Sequence, residues 1–288
     1  MDIASLLHRW SFGRLPEPPP IVTVIRLSGV IGSLGPLRSG LTLSALAPVI
    51  ERAFKAPRLK AVALQVNSPG GSPVQSALIA RRIRELAEEK KIPVVAFCED
   101  AAASGGYWLA CAADEIFADD SSILGSIGVI SAGFGFPELL KRFGIERRLH
   151  TAGERKRMLD PFLEEDPKDV TRLKAIQKDM HATFIDTVKA RRGDRLKGSD
   201  KALFSGEFWT GKKALELGLI DGLGHLRAMM RERYGDKVHL KPVDGARPWW
   251  RRRLGLADTR GPSLADGAWA ADLLAAAEER ALWSRYGL

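Results

Sequence analysis

Cysteine and histidine are scarce in this chain, and each scarcity narrows what it can do. Cys98 and Cys111 are the two cysteines among 288 residues, too few for a disulfide framework. Both lie in apolar contexts, Val-Ala-Phe-Cys98 and Leu-Ala-Cys111-Ala-Ala, and are expected to be buried small hydrophobes in a reducing cytosol. No histidine lies between residues 9 and 149, so a Ser-His-Asp triad has little to build on in that half. Long apolar runs are also missing. The uncharged stretch Ile123 to Pro137 falls short of a bilayer span and carries several glycines; it reads as a buried strand and turn. The first fifteen residues, with Asp2, His8, Arg9 and Arg14, do not make a signal peptide. An acidic excess is absent too: 44 Lys and Arg against 35 Asp and Glu give +9. The excess is scattered, and no recognition module accompanies it, so nucleic acid is not an expected partner.

What is present is a soluble globular composition, 45% hydrophobic and 27% charged, enough for one sizeable core. Residues 1–20 form an N-terminal segment and a stiff spacer, Pro16-Glu17-Pro18-Pro19-Pro20. Residues 21–242 alternate strand and helix signals. Strands are expected at 21–27, 60–66, 92–98, 115–118, 123–131, 145–150 and 238–242. Helices are expected at 41–54, 73–91, 105–113, 166–192, 211–217 and 223–233. Glu99 to Ala103 is expected as a turn. Strands separated by helices predict an α/β fold with a largely parallel sheet. Residues 243–288 begin with the basic Trp249-Trp250-Arg251-Arg252-Arg253 and end in an amphipathic helix over 264–286. Tryptophan beside arginine suits a membrane interface or an oligomer contact, and the Leu- and Trp-bearing segment 3–15 suits a membrane surface or a docked terminus.

Three segments carry candidate chemistry. Asn67-Ser68-Pro69-Gly70-Gly71 follows a strand directly and precedes a helix. That is where α/β proteins place ligands, and its backbone N–H groups can hold a developing oxyanion; it is also an ordinary strand-to-helix turn. Ala102-Ala103-Ser104-Gly105-Gly106 repeats the arrangement one unit later. Ser104 is a candidate nucleophile or an N-cap, and it does not sit in a G-x-S-x-G elbow. The third segment is Gly153-Glu154-Arg155-Lys156-Arg157. A lysine amine can replace histidine as the base when burial keeps it neutral; otherwise Lys156 is a solvated loop lysine. Together Ser104 and Lys156 make a candidate Ser-Lys dyad.

These segments, with Ala103-Ser104-Gly105-Gly106-Tyr107 and Gly125-Ser126-Ile127-Gly128-Val129 between the first and the last, resemble the signal peptide peptidase SppA and SohB family over roughly residues 20–240. Each motif is unspecific alone; four in order at family-like spacing are specific. The resemblance implies a ClpP/crotonase-like fold of repeated β-β-α-type units with a C-terminal helical extension. It implies Ser104 as nucleophile, Lys156 as general base, and the N–H groups of Gly70, Gly71 and Gly105 as oxyanion hole. Ser126 would orient the lysine. Arg155 departs from the tyrosine that SohB-like sequences often carry there. The substrates implied are short hydrophobic peptides such as residual signal peptides, with no cofactor and no metal. It also implies a homo-oligomer, with the dyad shared between subunits. Family members usually carry an N-terminal transmembrane anchor; this chain is expected to depart from them as a cytoplasmic chain peripheral to the membrane. Two other readings stay open, a crotonase-type acyl-CoA enzyme and a catalytically silent peptide-binding scaffold. A triad peptidase using His150 is a further variant.

Overall fold

A computed structural model of the chain describes residues 18–33, 40–153, 155–243 and 269–288. The segment 1–15, Pro16 and Glu17 of the proline spacer, and the Trp249–Arg253 motif lie outside the described residues. Two compact units emerge, one made of residues up to Ile127 and from Thr187 onward, the other of Gly128–Asp186.

The first unit is built on a sheet whose strands are near-continuous apolar runs, as a parallel sheet covered on its faces requires. Strand β1 (Ile21–Ser28) pairs in parallel with β2 (Leu59–Ser68), and β2 in parallel with β3 (Val94–Ala103). Strand β3 is long enough to serve two partners on one edge. Its first half pairs with β4 (Glu115–Ala118), and its last residues, Ala101 to Ala103, pair with β5 (Ile123–Gly125). Strand β6 (Phe208–Thr210) closes that edge antiparallel to β5, β7 (Gly222–Leu223) extends β4, and β8 (His239–Pro242) flanks β1.

The crossovers are helices α1 (Leu43–Phe54) and α2 (Pro73–Lys90). Helix α1 buries Leu46, Val49, Ile50, Ala53 and Phe54, and α2 buries Ser76, Ile79, Ala80, Ile83, Leu86 and Ala87; both are single stripes at helical spacing. Thr42 and Ser72 cap them through their side-chain oxygens, with Pro73 at the first helical turn of α2. A short helix α3 (Gly105–Ala110) follows β3. In the second unit lies α4 (Pro137–Arg142), and α5 (Pro167–Arg192) runs on from it into the first. Helices α6 (Asp200–Leu203), α7 (Gly211–Glu216), α8 (Leu226–Tyr234) and α9 (Trp269–Ser284) complete the described chain.

Three expectations change. Glu99 to Ala103 is strand, not turn, because Ala101 to Ala103 find a partner in β5. The expected strand 123–131 stops at Gly125, and 145–150 forms no strand. Beyond Gly128 the apolar run is exposed, with Ile130 66% and Phe134 82% accessible. Helix α4 and strand β6 had no periodic signal long enough to read.

Candidate active site

The carboxyl ends of β2, β3 and β5 converge, each ending in one of the singled-out motifs. The serine stands at the junction of β3 and α3. Its backbone has φ +52° and ψ −121°, a conformation that non-glycine residues adopt at a cost and that recurs at functional sites. The N-cap alternative for Ser104 fails, since its side chain makes no capping hydrogen bond. What holds the residue is its backbone: Ser104 N–H donates to the Gly125 carbonyl at 2.8 Å. Among the described residues the hydroxyl has no hydrogen-bond partner, and it stands on a partly exposed residue with buried neighbours on either side.

The Pro69-Gly70-Gly71 turn packs directly on this serine. Gly70 has φ +106°, and a Cβ there would stand 2.8 Å from the Ser104 Cβ and 3.0 Å from Gly105 N. Only glycine tolerates both the dihedral and the approach. Gly70 N–H itself donates to Ser68 Oγ at 3.2 Å. Gly71 is arranged differently. Ile31 bonds to both of its neighbours, donating to the Gly70 carbonyl at 2.9 Å and accepting from Ser72 N–H at 2.7 Å. This bridge leaves the Gly71 N–H on the opposite side, where it has no partner among the described residues. A Cβ on Gly105 would stand 3.4 Å from Gly71 N, so the backbones of Gly71 and Gly105 face each other beside Ser104.

Polar side chains lock the strand ends in register. Asn67 donates to Asp100 at 2.7 Å and accepts from Ala101 N–H at 3.2 Å, tying β2 to β3. Ser126 follows Gly125, the residue whose carbonyl holds Ser104. It too has positive φ, +52°, and is buried; its N–H donates to the Glu207 carbonyl at 2.7 Å. Its Oγ lies 3.3 Å from the Tyr286 hydroxyl, which also donates to the Pro69 carbonyl at 3.4 Å.

Lys156 belongs to the second unit. It occupies a turn in which its N–H donates to the Gly153 carbonyl at 3.1 Å, and its residue is exposed. The loop beyond is anchored by Asp160, which accepts from Arg147 at 2.6 Å and from Phe162 N–H at 3.0 Å. The Arg147 guanidinium also lies 4.7 Å above the Phe162 ring. His150, the base of the triad variant, is exposed in the same unit. Ser104, Gly70, Gly71, Gly105 and Ser126 are therefore one cluster in the first unit, and Lys156 is not part of that unit.

Sequence reasoning missed Tyr286, Phe208 and the Gly125 carbonyl. Nothing in the order of residues links positions 69, 126 and 286. Among the described residues no group of His, Cys, Asp and Glu could hold a metal ion, and no helix is long and apolar enough to cross a membrane.

Comparison with known proteins gives this cluster a setting. The profile described as peptidase family S49 matches residues 86–238, more than half of the chain and all of the segment from Ser104 to Lys156. A protein named Na(+)/H(+) antiporter NhaA from Brucella abortus (strain 2308) is 53% identical over 277 residues, covering 93% of this chain and 37% of that protein. A putative signal peptide peptidase SppA from Enterococcus faecium is 34% identical over 170 residues, covering 58% of this chain and 48% of that protein. The chain thus spans less than half the length of both relatives. Among solved structures, the 1510-N membrane-bound stomatin-specific protease aligns with a TM-score of 0.50 at 17% identity, covering 80% of this chain and 100% of that one. That likeness speaks to the fold.

Proposed function

Since the chain belongs to peptidase family S49, we propose that it is a serine peptidase, with Ser104 as nucleophile and Lys156 as general base. The observation that carries the serine assignment is its backbone: a strained φ of +52°, a hydroxyl that makes no capping bond, and the close approach of the Gly71 backbone to Gly105. Ser104 Oγ attacks the scissile carbonyl carbon while the Lys156 amine takes its proton. The carbonyl oxygen becomes an oxyanion, bound by the N–H groups of Gly71 and Gly105. Gly70, whose N–H is engaged by Ser68, supplies the close approach. Collapse of the intermediate expels the amine product, protonated by the lysine, and leaves an acyl group on Ser104. Water, deprotonated by the same lysine, then releases the acid product.

A lysine base must be neutral, which burial favours. Lys156 is exposed in the single chain, so we assign its burial to assembly: a neighbouring copy brings its Lys156 to Ser104, and Ser126 orients the amine. Substrates are short, apolar, extended peptides, residual signal peptides among them, which the name of the Enterococcus relative supports. They add to the strand edge beside the site. The relation to a segment of a protein named as an antiporter supports a position beside a membrane. The test is a digest of denatured proteins and signal-like peptides by the purified protein and by Ser104→Ala. Cleavage by the first and not the second is expected; equal cleavage by both removes Ser104 from the chemistry.

A further inference from the structure

The residue that joins the two halves of the site is Tyr286, which the peptidase mechanism does not use. It follows α9 and is 8% exposed. Its hydroxyl lies 3.3 Å from Ser126 Oγ and 3.4 Å from the Pro69 carbonyl. Its ring meets Phe208 edge-on, with centroids 5.2 Å apart and planes at 80°. Pro69 leads into the Gly70-Gly71 turn, Ser126 follows the Gly125 carbonyl that holds Ser104, and Phe208 pairs with Gly125, so these three walls lie beside the nucleophile. Tyr286 also lines a groove of about 830 Å³. Gln65, Glu99, Asp100 and Ser122 line it from the sheet side, and Leu288 from the tail side.

We infer that Pro69, Ser126 and Phe208 form a subsite for an aromatic side chain of a bound peptide, and that Tyr286 fills it as an intramolecular occupant. The chemistry of the walls selects the ligand. Phe208 offers an aromatic face, and Ser126 Oγ and the Pro69 carbonyl offer hydrogen-bonding partners to a phenol at the end of the ring. The segment Trp283–Leu288 therefore competes with peptides that carry Tyr at the matching position. It also engages the Ser126 hydroxyl, which the proposed dyad needs for its lysine. A docked tail and a lysine oriented by Ser126 draw on the same oxygen. This last point rests on the function proposed above; the subsite itself rests on the contacts of Tyr286. Only the fraction of molecules with the tail released binds substrate, so apparent affinity falls by that fraction.

The experiment uses the full chain, Tyr286→Ala and Tyr286→Phe, and a fluorescent peptide of sequence Trp-Ser-Arg-Tyr-Gly-Leu beside the same peptide with Ala for Tyr. Binding is read by anisotropy, cleavage by a fluorogenic peptide, and folding by thermal melting. Tyr286→Ala is expected to bind the Tyr peptide on the order of five-fold or more tighter than the wild type, and to raise kcat/KM by a similar factor. The Ala peptide should bind neither protein. Tyr286→Phe should fall between, since it keeps the ring and loses both hydroxyl contacts. Peptide binding that is no tighter to Tyr286→Ala than to the wild type overturns the inference. So does a loss of activity in both variants that tracks a lower melting temperature, which would make Tyr286 part of the scaffold. Tighter peptide binding to Tyr286→Ala in the absence of cleavage by any protein supports the subsite and counts instead against the peptidase assignment of Ser104.

Discussion

Gly70 packs against Ser104 so closely that a Cβ at position 70 would stand 2.8 Å from that of the serine. One motif ends β2 and the other ends β3, and the parallel register of those strands makes the meeting obligatory. Gly70→Ala should therefore damage the site more than the fold. A side chain at φ +106° costs about 1–3 kcal/mol, and relief of the clash moves Ser104 or Gly105. Activity should drop at least 100-fold, the scale of a misplaced catalytic group, as read by kcat/KM beside a denaturant titration.

Ser104→Ala should abolish cleavage, a loss on the order of 10⁴–10⁶-fold, with little change in stability. The hydroxyl caps nothing, so its removal takes no structural hydrogen bond away. Equal melting temperatures for the two proteins are the accompanying expectation.

The fold carries its own pH dependence. The Arg192 guanidinium, 2% exposed, bonds Asp221 at 2.6 and 3.1 Å and the Gly218 carbonyl at 3.0 and 2.9 Å. Burial pushes the Asp221 carboxyl up, but Arg192 and the Ile116 N–H outweigh it and hold the carboxyl below its ordinary value of 3.8. A depressed carboxyl stabilises the fold above its unfolded pKa, and that stability is lost as pH falls through the lower folded value. Stability should therefore decline below about pH 4. Asp221→Asn should cost about 3–5 kcal/mol at neutral pH by leaving Arg192 unpaired, and should flatten the acid limb. Urea titrations between pH 2 and pH 7 read both effects.

Burial raises both thiols, Cys111 to about 12 and Cys98 higher still. Neither should react with iodoacetamide in the native protein at pH 8, and both should react after unfolding, as mass spectrometry of the labelled protein will show.

The order of elements was legible because the parallel strands are apolar runs bounded by turns, and the helices have one buried stripe each. The clustering of Gly70, Gly71, Ser104, Gly105 and Ser126 was legible for the same reason, since they lie where strands end. The family resemblance is borne out by the S49 match. Glu99 to Ala103 misread as a turn because its alanines pair with β5, a three-residue strand too short to show a period. Tyr286 was invisible because its partners are 160 and 217 residues away. Lys156 was legible as a residue type in a motif, and of its two readings the single chain has the solvated one.

If Lys156 is the base, cleavage should rise from neutral toward mildly alkaline pH, since the neutral amine is the active form. A maximum near pH 5 would point to a carboxylate instead.

The central claim is that Ser104 becomes nucleophilic through Lys156. Labelling with a fluorophosphonate serine probe, mapped by peptide mass spectrometry, tests it most directly. The wild type is predicted to be labelled at Ser104, and Lys156→Ala to lose that label while keeping its melting temperature. Undiminished labelling of Ser104 in Lys156→Ala would contradict the dyad.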